Sequence, residues 1–422
     1  MNDAAEATLR QYARFLDERT GVFASLRSHE LPWESPIHVC AGDLKPEFCS
    51  TRHRVRPAIS ATVSGSGLSA LEARASCLCE ALERHSGIFR GDESRQVASY
   101  SELGDEAIHP EALTQFSESQ YKNREQWNQV EGRYNWVPER FDCGRSIDWS
   151  PAHSLTQNQT KYLPTAYCYF GYPFDPAHDF CRPDSNGNAA GSSLDEAIIR
   201  GFLELVEREC VAVWWYNRVR RPRVDIDSFG MPDLAAVRSL YRLLGRSVEV
   251  LDITAHRNIP TFVAVSRSED QLRDDFILGF GAHFDPPRAL TKALMEMSQL
   301  LPIVLSGRKP VCFLKTEPSQ GDTSFLTPYE KIPATTGVDC SAPQEANVLS
   351  CIEMVKSWGL EMLVLNQTRE DVGMPVVKVV VPGMCSWWAR FGNDRLYTLP
   401  VQLGWLSGPK TEPQMNSAHL IF

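Results

Sequence analysis

The stretch Ser185 to Trp215, SNGNAAGSSLDEAIIRGFLELVERECVAVWW, restricts the fold of this 422-residue chain more than any other. Gly187 and Gly191 open it, and Ser192 and Ser193 follow. A short hydroxyl side chain there accepts a free first-turn N–H, so the pair marks a helix start. The spacing predicts a long helix. At 3.6 residues per turn, Glu196, Arg200, Glu204 and Glu207 fall within about 80° of arc. Ile198, Ile199, Phe202, Leu203, Leu205, Val206 and Val213 fill most of the remainder. A helix apolar over most of its circumference is buried, and an acidic stripe on it needs positive charge opposite.

A second stretch, Ser64 to Gly87, repeats the pattern as SGSGLSALEARASCLCEALERHSG. Ser76, Glu80 and Glu83 share one narrow face, with Leu71, Ala75, Leu78 and Leu82 elsewhere. Both helices close in Glu-x-x-Glu-Arg, Glu80 to Arg84 and Glu204 to Arg208. A Glu-rich helix face is ordinarily a solvated one. The repetition and the narrowness of both faces favour instead two helices meeting across a polar cavity. Magnesium, a hard cation, suits such carboxylates, and arginines with helix N-termini suit phosphate.

A net charge of −10 argues against nonspecific contact with nucleic acid or acidic lipid. The N-terminus lacks a signal-peptide apolar region and no apolar run is long enough to span a membrane, so a cytoplasmic protein is expected. The twelve cysteines show neither Cys-x-x-Cys nor zinc spacing and read as reduced core residues. Strand signals occur at Ala58–Val63, Ile147–Leu155, Lys161–Phe170, Ser247–Thr254, Ile259–Ser266, Phe276–His283, Met362–Asn366 and Val376–Val381. A third helix should begin near Pro287, with Lys292, Glu296 and Gln299 on one face. The expected class is α+β, or mixed α/β, with distant strands sharing sheets. No internal repeat is expected beyond the two Glu-x-x-Glu-Arg segments.

Both glycine–helix stretches resemble the ATP-binding segments of the YcaO family, and DPPRALTKALMEMSQ resembles its third. The WWYNR ending and PVVKVVVPGMCSWWARFGNDRLYTLPVQLGW resemble the branch that forms thiazoline and oxazoline rings in peptides. The resemblance implies long helices and mixed sheets lining a nucleotide cavity. It divides the chain into an N-terminal segment (1–57), an ATP-binding catalytic domain (58–405) and a tail (406–422) that reaches toward the site. It implies ATP contacts from Ser76, Arg84, Ser192, Glu196, Arg208 and Lys292. It implies Mg2+ ligation by Glu80, Glu83, Glu204, Glu207 and Glu296. The C-terminal carboxylate of Phe422 is a candidate base.

The implied reaction is ATP-dependent cyclodehydration of Cys, Ser or Thr in a ribosomal precursor peptide, as in bacteriocin biosynthesis. The implied partners are a leader-binding protein related to ubiquitin-activating enzymes, a flavin dehydrogenase where azoles are made, and a second copy in a homodimer. No segment resembles a leader-binding module. The chain departs from the family at Ser66, where Gly-Lys-Gly is common, at Lys292, commonly Arg, and in its tail, which lacks a Pro-x-Pro-x-Pro ending. Two alternatives stay open: a non-catalytic scaffold subunit, and amide activation for thioamide or amidine formation.

Overall fold

The computed structural model describes residues 2–17, 19–29, 31, 35–49, 59–130, 135–173, 179–269, 276–306, 313–314, 323–329 and 347–420. β1 (Phe23–His29), β2 (His38–Leu44) and β3 (Thr62–Gly67) form an antiparallel sheet in that order. It draws two strands from before residue 58 and one from after it. β4 (Gln96–Ser99), β5 (Ser146–Ser154), β6 (Gln159–Pro164) and β7 (Asn188–Ala190) begin a second sheet. β8 (Arg246–Asp252), β9 (Thr261–Ser268) and β10 (Phe276–Ala282) form a third. β11 (Phe313–Leu314) precedes β12 (Leu363–Asn366) and β13 (Val376–Val380), which complete the second sheet in the order β4-β5-β12-β13-β7, with β6 on β5. β14 (His419–Leu420) pairs with β11.

The mixed α/β class expected from the sequence is what is found. Lys161–Phe170 is not one strand: after Pro164 the chain turns into a helical turn, Thr165–Cys168. The valine run of β13 is buried on both faces. Val377 and Val379 join the core built on the long helix, whereas Val380 packs with Trp149 and Leu163, as period-two alternation requires.

Three helices matter for the site: α1 (Ala70–Ser86), α2 (Leu194–Asn217) and α3 (Pro286–Gln299). Ser69 caps α1 through the Glu72 N–H, and Ser193 caps α2 through the Glu196 N–H. Ser192 instead donates to the Glu196 carboxylate (2.5 Å). α2 is buried along most of its length, from Ala197 to Asn217. It ends where Arg218 adopts the left-handed conformation (φ +48°). At 1.5 Å per residue it runs about 36 Å.

The fold contains a repeat that the Glu-x-x-Glu-Arg pairing does not show. β1-β2-β3-α1 and β8-β9-β10-α3 have the same connectivity, each helix lying on the strand before it. The contact is at the backbone. A Cβ on Gly65 would lie 2.3 Å from both Ala73 O and Cys77 N, and one on Gly281 would lie 2.2 Å from Ala289 O and 2.6 Å from Ala293 N. Only glycine lets the helix settle that close.

The tail docks along the aromatic end of α2. Asn416 N–H donates to Tyr216 O (2.8 Å) and the Trp215 indole to Ala418 O (2.6 Å). His419 stacks on Trp127 (5.3 Å) and Leu420 is buried. Trp215 lies about 12 Å along the α2 axis from Glu207. Phe422 lies outside the described residues, and with it the carboxylate expected to act as a base.

Candidate active site

α1, α2 and α3 bring their carboxylates into one cluster, and sheet edges hold them. β3 is an edge strand among the described residues, and its Ser64 N–H donates to Glu80 (2.8 Å). β10 is likewise an edge strand. Its Phe280 N–H donates to Glu296 (3.0 Å) and its Ala282 N–H to Glu207 (3.0 Å). Backbone donors at strand edges thus fix three carboxylates, where another strand would otherwise pair. The backbone of Ala190 in β7 lies near Glu83 and acts to lower its pKa.

Arg84 pairs with Glu80 (2.5 Å) and donates to Thr62 O (2.8 Å). Arg208 spans Glu204 (2.7 Å) and Glu207 (2.8 Å), and its guanidinium lies 3.4 Å from the Trp387 ring centroid. Its Nε is buried without a hydrogen-bond partner among the described residues. Lys292 Nζ is 3.5 Å from Glu207. Among the described residues, then, Glu80, Glu83, Glu204, Glu207 and Glu296 share three cations, Arg84, Arg208 and Lys292.

The surplus charge is visible in the acidities. Burial, then the charges of Glu204 and Glu80, push Glu83 up to about 8. Burial, then Glu207, push Glu296 up to about 8. Burial also raises Glu80 and Glu204, against the pull of Arg84 and Arg208. Two crowded carboxyls pushed up to about 8 suit a hard divalent cation, which would displace their protons. Among the described residues no three acidic, His or Cys side chains form a ready-made metal cage.

The structure gathers Glu80, Glu83, Arg84, Glu204, Glu207, Arg208, Lys292 and Glu296. Ser76 sits one turn before Glu80 and is exposed. Ser192 and Glu196 lie at the outer end of α2, Glu196 paired with Arg200 (2.5 Å) and about 12 Å along the axis from Glu204.

Sequence reasoning missed Glu209. It follows Arg208 but points away from the cavity and is fully buried. Its carboxylate takes Arg395 Nε (2.7 Å), Arg395 Nη2 (2.7 Å), His256 Nε2 (2.7 Å) and the Cys385 N–H (3.1 Å). Burial alone would raise its pKa, but Arg395 and His256 overcome this and hold it down at about 2. The clamp fixes the loop that presents Trp387 to Arg208. A signal was there: a carboxylate off the acidic stripe of a buried helix has to find a partner.

Residues 64–385 match the YcaO family, described as a cyclodehydratase that binds ATP and Mg2+. The chain belongs to the YcaO family. Among solved structures, a heterocyclase in complex with substrate and cofactor is 40% identical, with a TM-score of 0.89 over 99% of this chain. The heterocyclase TruD is 47% identical, with a TM-score of 0.74 over 83% of this chain. The chain spans 57% and 50% of the length of those two proteins. A YcaO from Methanopyrus kandleri, bound with AMPPCP and Mg2+, shares the fold at 22% identity, with a TM-score of 0.65 over 91% of this chain and 92% of its own. This YcaO chain thus has heterocyclases among its neighbours, as its tryptophan-rich segments led us to expect. No helix among the described residues is long and apolar enough to cross a membrane.

Proposed function

We propose that this chain is an ATP-dependent cyclodehydratase that forms azolines in a ribosomal precursor peptide. The observation that carries the reading is the convergence of five glutamates and three cations from three helices on one cavity. The thiol or hydroxyl of a Cys, Ser or Thr adds to the preceding amide carbon. The former carbonyl oxygen takes the γ-phosphoryl group of ATP, releasing ADP. Phosphate then leaves as the nitrogen lone pair forms the C=N bond and the N–H proton is lost. Phosphorylation matters because oxide or hydroxide leaves poorly.

In this reading Glu80, Glu83, Glu204, Glu207 and Glu296 hold Mg2+. When bound, Mg2+ supplies charge neutralisation at the transferring phosphoryl group. Arg84, Arg208 and Lys292 face the phosphates. The strand N–H groups keep the carboxylates from swinging, so the cavity is organised before substrate arrives. Ser192, Glu196 and Ser76 line the approach of the nucleotide. The Phe422 carboxylate takes the nucleophile's proton. Leader capture falls to a partner related to ubiquitin-activating enzymes, and oxidation to azoles to a flavin enzyme. We place the reaction in the cytoplasm and the chain in a homodimer.

The test combines the chain with ATP, Mg2+, precursor peptide labelled with 18O at the reacting amide, and the leader-binding partner. The expected result is loss of one water mass per ring, with the label in phosphate. Replacement of oxygen by sulfur would indicate thioamide formation instead. No ATP consumption with a correctly paired peptide would indicate a scaffold subunit.

A further inference from the structure

The two repeated units share apolar packing, Ile37 and Val39 of the first lying with Ala289 and Leu290 of the second, and beside the glutamates a polar side chain also crosses between them. In each unit an edge-strand N–H donates to the helix carboxylate sixteen residues further on, Ser64 to Glu80 and Phe280 to Glu296. Aligned on that pair, Ser76 corresponds to Lys292, and Glu83 corresponds to Gln299. β3 and β10 belong to separate sheets, so no ladder among the described residues ties the units at this place. Gln299, at the end of α3, crosses to β3. Its Oε1 accepts from Ser64 Oγ (3.1 Å) and its Nε2 donates to Ser66 Oγ (3.1 Å). Ser64 is the residue whose N–H orients Glu80.

We propose that Gln299 is a positioning residue: it latches the Glu296 unit to the Glu80 unit and so sets the spacing of the cations held between them. The inference rests on the Mg2+–nucleotide reading above. The side chain suits the task because an amide donates and accepts at once, one function for each serine hydroxyl. A carboxylate there would accept only, and would add charge to a cavity already rich in it. The correspondence with Glu83 shows the division of labour. One unit places a carboxylate at this position, facing Glu204, and the other places a neutral bridge. Ser66 is thereby given a role in the latch.

The test uses the full chain with Mg2+ and a non-hydrolysable ATP analogue, comparing wild type, Gln299→Ala, the Ser64→Ala/Ser66→Ala pair, and all three changes together. The reading is the Mg2+ concentration that half-saturates nucleotide binding, with Mn2+ in parallel to follow metal–metal coupling by electron paramagnetic resonance. Loss of the latch should raise half-saturation about tenfold, the equivalent of one hydrogen bond's net worth. It should also change the Mn2+ coupling. The serine pair should reproduce the effect, and the triple variant should add little to either. Lower thermal stability with unchanged half-saturation and coupling would reduce Gln299 to a structural contact and overturn the proposal, as would full additivity. Should Gln299→Ala fail to fold, the serine pair breaks the same two hydrogen bonds and is judged by the same readings. Wild-type chain that binds no Mg2+–nucleotide would instead overturn the reading beneath it.

Discussion

Replacing Glu209 by Gln keeps volume and removes one buried charge. The carboxylate takes four donors, three of them from Arg395 and His256 at 2.7 Å. Each oxygen takes two of those donors, so with Gln two of them face an NH2 group and the Arg395 charge loses its counterion. Removing one member of a buried pair costs about 3–5 kcal/mol. The depressed pKa gives a compatible figure. Glu209 falls from an ordinary 4.5 to about 2, and at 1.36 kcal/mol per unit that is about 3 kcal/mol. Because the folded value lies below the unfolded one, this stability is present above about pH 4.5 and is lost as pH falls toward about 2. Urea unfolding at neutral pH should show Glu209→Gln destabilised by about 3 kcal/mol. The gap to wild type should narrow as pH drops below the ordinary carboxylate range. The loop carrying Trp387 should also loosen, weakening nucleotide binding through Arg208. A gap below about 1 kcal/mol at neutral pH, or one that does not change in acid, would refute the clamp.

Glu204→Gln should abolish peptide-dependent ATP turnover with circular dichroism unchanged; normal turnover would remove Glu204 from the metal set. Glu83 and Glu296, up at about 8, should release protons when Mg2+–nucleotide binds. Binding should therefore tighten as pH rises toward about 8, while the metal-free chain loses stability over the same interval because the folded values exceed the unfolded ones. Calorimetry in two buffers of different ionisation heat would reveal the protons, and equal heats would contradict the assignment. Gly281→Ala drives a Cβ into Ala289 O at 2.2 Å and should cost about 3 kcal/mol or more in thermal unfolding; an unchanged melting temperature would mean that helix and strand do not press together. Deleting the last three residues removes buried Leu420 and should lower stability by about 2 kcal/mol. Adding one Gly after Phe422 should leave stability alone and suppress cyclisation; full activity would end the case for a catalytic carboxylate.

Much of the site could be read from local signals. The cap at Ser193 and the apolar arc around Glu204 and Glu207 announce α2, and the hairpins β5–β6 and β8–β9 follow from the turns between them. What escaped is nonlocal. β7 pairs with β13 and β5 with β12 across long stretches of chain, and no turn chemistry marks such partners. The structural repeat joins α1 to α3, whereas the visible motif joins α1 to α2. Lys292 and Gln299 stand where matching residue types would have revealed it, while the backbone relation of Gly281 to Ala289 persists. Glu209 was overlooked because it looks like part of an acidic run, and only its direction off the helix separates it from Glu207. Thr165–Cys168 leaves the strand because the chain turns after Pro164, although the residues Lys161 to Phe170 have strand composition.

The most direct measurement is a crystal structure of the chain with a non-hydrolysable ATP analogue and Mn2+, the metal located by its anomalous scattering. The account predicts phosphates between α1, α2 and α3, with more than one Mn2+ coordinated by oxygens drawn from Glu80, Glu83, Glu204, Glu207 and Glu296. Nucleotide bound elsewhere, or phosphates in the cavity with no Mn2+ on these carboxylates, would contradict it.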